Sequence, residues 1–315
     1  MSKAFDMVDH GQLFESLCQR NLPNPVIRFL LQWYSNQHLE IRWNGILSSP
    51  FSVTNGVRQG GVLSPILFTV YIDELLQRLQ KLGVGCHWEG MFVGGLCYAD
   101  DLALIAPSAH ALRRMLQVCS DFASEKNLTF NAGKTQLICF RSHKSVVVDE
   151  KFEFCGQELT FTDIVVHLGH TLSCDLSDSE DIENKTKDFI RRANCLLANF
   201  GVCSSVVKSR LLQSFCTSFY GAALWRLACP ELQLLETAFN KILRRIWNLP
   251  YCRHRGLTHR TASMQSIHNL VSLRSAKLLQ AAKLCPSALV QRHFLWLHLF
   301  RGHFWVIIVV LVSGM

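Results

Sequence analysis

The run from Phe92 to Ala106 is apolar except where two adjacent carboxylates, Asp100 and Asp101, interrupt it. Phe92–Ala99 and Leu102–Ala106 read as strands flanking that pair, which makes it the tip of a hairpin. Ser108 then stands as a helix cap, with Leu112, Met115, Leu116, Cys119, Phe122 and Ala123 recurring at helical spacing. Past "SEKN" and Gly133 the apolar run Gln136–Phe140 predicts another strand. Strand, strand, helix and strand, with the helix on one face, describe an α+β layer. Upstream, Gly56, Gly60 and Gly61 open a loop whose backbone can approach a neighbour closely. Ser64 and Pro65 predict the cap and first residue of a helix with Ile66, Leu67, Val70, Tyr71, Leu75 and Leu79 as its buried stripe. Beyond residue 176 the spacing is helical almost throughout. Leu211, Leu212, Phe215 and Phe219 form one set, and Leu232, Leu235, Phe239, Ile242, Leu243 and Ile246 another, with Pro230 and Pro250 as punctuation.

Charge sharpens this division. Residues 1–189 hold 16 Lys/Arg against 22 Asp/Glu, whereas residues 190–315 hold 16 Lys/Arg against only Glu231 and Glu236. A net of −6 followed by +14 points the second part toward a polyanion, most simply nucleic acid. Thirteen cysteines without a paired framework, behind the charged start "MSKAFDMVDH", imply a reducing compartment, nuclear or cytoplasmic. Cys252, His254 and His259 lack a fourth ligand at zinc spacing and read better as a basic, partly aromatic loop. The apolar stretch Phe304–Val312 is nine residues, well short of the roughly 20 that span a bilayer, so no dedicated membrane partner is expected.

Taken in order, the motifs carry more than the pattern does. "SKAFDMVDH", "GVRQGGVLSPILF", "CYADDLALI", "FNAGKTQLICF" and "HLGHTLS", followed by "YGAALWRL" and "ILRRIWNLPYCRHRGLTH", resemble the reverse transcriptase of non-LTR (LINE-type) retrotransposons. The resemblance runs from residue 2 to about residue 260. It implies an α+β right-hand polymerase palm, an antiparallel sheet with helices on one face, followed by an all-helical thumb. On that frame residues 1–142 are partial fingers and palm, 143–175 the palm–thumb junction and 176–250 the thumb. Residues 251–293 are a basic helical region, and 294–315 an apolar tail.

The same resemblance assigns roles. Asp100 and Asp101 become catalytic metal ligands, facing two Mg²⁺ ions (or Mn²⁺) whose charge offsets their mutual repulsion; the turn alone leaves a solvated Asp-Asp hairpin equally open. Phe5 sits under the incoming sugar and excludes a 2′-hydroxyl, selecting dNTPs. Arg58, Gln59 and Gly60 contact the nucleotide and template, and Lys134 protonates or neutralises the leaving pyrophosphate. Leu168 and Gly169 support the primer strand, with His167 and His170 beside them given no chemistry. Lys208, Arg210, Lys241, Arg244, Arg245, Arg253 and Arg255 line the groove for RNA template and DNA primer. Oligomeric state is left open.

The family pattern also places its first catalytic aspartate two residues before Ser2, one position ahead of Met1. Asp6 and Asp9 lie too far along the chain to replace it, since six residues of strand span roughly 20 Å. The chain is therefore expected to be a truncated, inactive copy, with its tail from read-through or intron-derived coding. The first-motif segment is expected to form the central strand beside the Asp100–Asp101 hairpin, ending near Phe5. A nucleic-acid-binding remnant and a maturase-like polymerase are the alternatives. An RNA-templated RNA polymerase fits poorly with the bulky Phe5, and a maturase poorly with "YGAALWRL".

Overall fold

The hairpin around the two carboxylates belongs to the first of two units, Met1–Thr162 with Phe304–Met315; the second is Asp163–His303. The computed structural model describes residues 4–140, 150–252, 254–287, 290 and 307–312. The first unit opens with α1 (His10–Gln19), capped by the Asp9 carboxylate accepting from the Gln12 N–H at 2.9 Å, and α2 (Asn24–Ser35). Short strands β1 (His38–Leu39), β2 (Arg42–Trp43), β3 (Ile46–Leu47) and β4 (Phe51–Ser52) pair as β1–β4 and β2–β3. Next come α3 (Ser64–Lys81), β5 (His87–Trp88), β6 (Met91–Phe92), β7 (Gly95–Tyr98), β8 (Asp101–Ala106), α4 (Ala109–Glu125) and β9 (Gln136–Phe140). The hairpin of β10 (Phe152–Phe154) and β11 (Gln157–Leu159) follows.

The expected helix after Ser108 forms as α4. The Ser108 hydroxyl accepts from the Ala111 N–H at 3.2 Å, and the six predicted apolar positions are all buried. Two neighbouring expectations need correction. The strand before the carboxylates starts at Gly95, because Phe92 pairs back with His87 in the β5–β6 hairpin. Gly94 allows that break: a Cβ there would stand 2.6 Å from the Phe92 ring. In α3, Ser64 is already helical and its hydroxyl donates to the Arg58 carbonyl in the preceding loop. The buried stripe of α3 is Leu67, Phe68, Tyr71, Ile72, Leu75 and Leu79, while Ile66 is exposed. The helix carries apolar residues on more than one face, and packing against α1 and α4 decides which face turns inward.

The larger correction concerns the centre of the sheet. Ala4–Asp6 is a single 3₁₀ turn, and among the described residues no strand ends near Phe5; residues 1–3 of the first-motif segment lie outside them. The strand beside β8 is instead β14 (Ile307–Val312), giving the sheet order β7-β8-β14-β9. β14 is antiparallel to both neighbours, pairing Val312 with Leu102 and Ile308 with Ala106 on one side. On the other it pairs Leu311 with Gln136 and Ile308 with Cys139. β8 and β9 thus run parallel with α4 as their crossover, leaving a slot between them that only a third strand can hydrogen-bond. The β-branched run "IIVVLV" meets that demand.

The second unit is mainly helical. β12 (Ile164–His167) and β13 (His170–Ser173) make a tight hairpin, followed by α5 (Ser179–Asn199), α6 (Ser205–Leu211), α7 (Pro230–Trp247), α8 (Arg255–Ala262) and α9 (Ile267–Leu284). Pro230 opens α7, and Asn248, at φ 49°, closes it in the left-handed conformation. All six predicted apolar positions of α7 are buried. Phe215, by contrast, is 68% exposed, because Leu212–Cys216 is a π-helical turn. The wider turn shifts the helical phase, so that Leu212 and Phe219 enter the core as expected while Cys216 takes the place of Phe215. Among the described residues, no helix is long and apolar enough to cross a membrane.

Candidate active site and nucleic-acid interface

Tyr98 pairs with Asp101, so Ala99 and Asp100 form a two-residue hairpin loop. Ala99 has φ 52°, a conformation that costs a residue with a Cβ about 1–2 kcal/mol. Both carboxylates are half-buried, and no described residue donates a hydrogen bond to either. Their field reaches the thiol of Cys97: burial pushes its pKa up, the two charges add to the effect, and it reaches about 11. Lys134 lies in the turn Ala132–Lys134 just before β9, exposed, with its backbone N–H held by the Asn131 carboxamide. Gln136 and Ala103 both pair with Leu311, so Lys134 and the Asp pair stand at the same end of the sheet, on strands two spacings or roughly 10 Å apart.

The first two motifs also meet. Gly56 and Val57 donate from their N–H groups to the carbonyls of Val8 (2.8 Å) and Phe5 (2.7 Å). Gly56, at φ 89°, is where the predicted close approach occurs: a Cβ would stand 3.0 Å from the Asp6 backbone. The Gln59 side-chain amide donates to the Asp6 carboxylate at 3.1 Å, and Phe5 stacks on Phe68 with ring centroids 4.7 Å apart. Gly60 holds φ 81° and Arg58 anchors the loop through its carbonyl.

Among the described residues, no three His, Cys, Asp or Glu side chains converge on one point. At the hairpin the available donors are therefore two carboxylates. That set suits a hard divalent cation, which takes oxygen ligands and can complete its shell with water and phosphate.

In the second unit, Leu168 (φ 47°) and Gly169 (φ 74°) form the β12–β13 turn. The Gly169 carbonyl accepts from Lys185 Nζ at 2.9 Å, and a Cβ on Gly169 would lie 3.5 Å from the Tyr220 ring. Lys241, Arg244 and Arg245 converge on one cleft of ≈ 390 Å³ with Asn248, Leu249 and Tyr251. Arg245 also donates to the Asn194 side chain at 2.8 Å. Lys208 is held elsewhere, its ammonium on the Gly201 carbonyl at 2.7 Å. Arg210 and Arg255 are exposed, and Arg253 lies outside the described residues. His254 caps α8 through the Gly256 N–H, while His259 lies 3.2 Å from the Glu236 carboxylate.

Two buried carboxylates, Asp181 and Glu236, have no role in the pattern of motifs. Asp181 is wholly buried and binds the Thr171 N–H (3.0 Å) and the Trp225 indole (2.8 Å), with His170 Nδ1 at 3.2 Å. Burial pushes its pKa up, but these partners together hold the carboxyl below its usual range. Glu236 accepts from the Ile267 and His268 N–H groups at the start of α9. Both are structural, and nothing in a string such as "DLSDSEDIEN" marks which acid will be buried.

Residues 1–159, just over half of the chain, match the family model of reverse transcriptase (RNA-dependent DNA polymerase). The chain belongs to the reverse transcriptase family. Its curated relatives point to the non-LTR, LINE-type branch. It is 31% identical over 134 residues to the Retrovirus-related Pol polyprotein from type-2 retrotransposable element R2DM of Drosophila melanogaster, covering 42% of this chain and 13% of that protein. It is 24% identical over 308 residues to the probable RNA-directed DNA polymerase from transposon BS of the same species, covering 93% and 33%. To the RNA-directed DNA polymerase from mobile element jockey of Drosophila funebris it is 25% identical over 269 residues, covering 80% and 28%. The chain thus spans between 13% and 33% of the length of these three relatives.

Proposed function

We propose that this chain is polymerase-core sequence of a LINE-type element and serves RNA-templated DNA synthesis, with the sheet unit as palm and the helical unit as thumb. The observation that carries this is the Asp100–Asp101 pair, at a hairpin tip and without a hydrogen-bond donor among the described residues. Asp100 and Asp101 hold divalent cation, Mg²⁺ or Mn²⁺, and a bound ion supplies positive charge against the triphosphate. Lys134, at the same sheet end, neutralises or protonates the leaving pyrophosphate. Phe5, fixed on Phe68, screens the sugar, and the Arg58–Gln59–Gly60 loop, tied to Asp6, contacts the nucleotide and template. Leu168 and Gly169 carry the primer strand, and the basic residues of the helical unit hold the duplex.

Among the described residues two carboxylates stand at the tip, and we infer that these residues by themselves extend primers poorly. A specific observation favours a binding-only form: β14 already fills the slot in which the first-motif strand is expected. The test is primer extension on an RNA template with dNTPs and Mg²⁺ or Mn²⁺. One arm uses the polypeptide itself. A second adds an apolar strand ending in aspartate ahead of Met1, and a third combines that addition with removal of residues 304–315. Extension is expected in the third arm, with loss on Asp100→Asn. Robust extension in the first arm overturns the inactivity. Silence in all three, from folded protein, overturns the enzyme.

A further inference from the structure

We propose that the cleft at the C-terminal end of α7 is a subsite for one unpaired nucleotide, with Tyr251 stacking on the base and Lys241 and Arg245 taking the adjoining phosphates. This rests on the nucleic-acid reading of the helical unit. Asn248 turns the chain through its left-handed conformation, and the Leu249 N–H bonds back to the Arg244 carbonyl at 2.9 Å. That reversal brings Tyr251 alongside the last turns of α7. The Arg244 guanidinium sits 5.4 Å from the Tyr251 ring centroid, while the side chain as a whole stays 76% exposed. One face of the ring is therefore braced by a cation, and the other is open to solvent.

The lining of the cleft defines the ligand. Its six residues include three cations and no acid, and its volume of ≈ 390 Å³ falls in the range of small-ligand sites. An anion that also offers a flat π-face matches both features, and a nucleotide is such a ligand. Stacking is indifferent to base identity, as movement along any sequence requires, but it needs a base whose face is uncovered. A duplex interior has none.

The experiment uses the full chain and short oligonucleotides carrying 2-aminopurine, in single-stranded, overhanging and blunt-duplex forms. Tyr251→Ala should weaken single-strand binding roughly ten-fold and abolish quenching of the probe, with the salt slope unchanged, because no phosphate contact is lost. Tyr251→Phe should keep both. Lys241→Ala with Arg245→Ala should instead lower the log–log salt slope by about 0.7 per lost contact on single strands. If Tyr251→Ala leaves affinity and quenching intact while the basic variant still lowers the slope, the subsite is wrong and the nucleic-acid surface stands. An equal loss on blunt duplex overturns the preference for an unpaired base. If neither variant changes binding, the nucleic-acid reading itself fails.

Discussion

Two acidic centres, one in each unit, are built on opposite terms. Asp181 is fully enclosed, and Thr171 and Trp225 hydrogen-bond its two oxygens, with His170 Nδ1 3.2 Å away. Asp100 and Asp101 are half-buried side by side, and no described residue donates to them. A buried carboxylate whose lone pairs are filled by its own fold has no capacity left for a ligand, and losing it strands its partners. A pair left open keeps that capacity and stores repulsion that a cation relieves. Acid content alone would rank the two alike; their hydrogen bonds separate structure from chemistry.

The largest expected effect tests the closed centre. Asp181→Ala should destabilise the helical unit by about 3 kcal/mol or more, the scale for removing one partner from a buried charged network. Asp100→Asn and Asp101→Asn should each stay within about 0.5 kcal/mol of the parent. Urea unfolding followed by tryptophan fluorescence measures both, and equal costs would break the contrast. Acid gives the same comparison a sign. The Asp181 pKa is lowered in the folded state, so its contribution is complete above the unfolded value of about 3.9 and is lost as pH falls through the folded one. The parent should therefore lose stability steeply below about pH 4, and Asp181→Ala should flatten that limb.

A mid-sized effect reports on the open pair without any catalysis. The Cys97 thiol is pushed up to about 11, by burial first and by the two carboxylates second. Replacing both with asparagine should lower that pKa in part, and site-resolved alkylation of Cys97 near pH 9 should speed up accordingly. Mn²⁺ or Mg²⁺ should accelerate the same reaction in the parent and not in the double variant. Acceleration in both would mean that the cation sits elsewhere.

How far these centres were legible in the sequence follows from what each depends on. Ser108 and the six apolar positions of α4 announce a helix because one face and one cap suffice, and both are local. "QLICF" is a strand for the same reason. The inward face of α3 was readable at Leu67, Tyr71, Leu75 and Leu79 but not at Phe68 and Ile72, since Ile66 is as apolar as either and only the neighbouring helices choose between them. Phe215 misled because a π turn changes the phase without changing composition. β14 lay furthest from reach: nine apolar residues carry no address, and its partners Leu102 and Cys139 are well over a hundred residues away. Asp100 and Asp101 stood out because charge inside an apolar run is anomalous, whereas Asp181 hid among five acids within ten residues.

That distant pairing is itself open to a direct test. Ile308 stands opposite Cys139, and directly opposed residues of antiparallel strands have Cα atoms about 4.5–5.5 Å apart, within disulfide range. Ile308→Cys should cross-link to the native Cys139 under mild oxidation, within one chain, as read by peptide mapping. Val309→Cys, one residue out of phase, should not reach Cys139. Cross-linking from both positions, or from neither, would remove β14 from the sheet and reopen the slot.

The smallest effect sits at the tip of the open centre. Ala99 holds φ 52°, and glycine there relieves the Cβ clash, worth about 1–2 kcal/mol. The same substitution frees the unfolded chain, which offsets about 0.4–1 kcal/mol of the gain. Ala99→Gly should therefore stabilise the sheet unit by between zero and about 1.6 kcal/mol. Its sharper consequence is for position. Glycine lets the two-residue loop visit other turn shapes, so Asp100 and Asp101 are held together less firmly. Because repulsion is what makes the pair bind a cation, a looser turn should weaken the Mn²⁺-dependent acceleration of Cys97 alkylation even as stability rises. If stability and cation response rise together, the strain at Ala99 plays no part in presenting the two carboxylates.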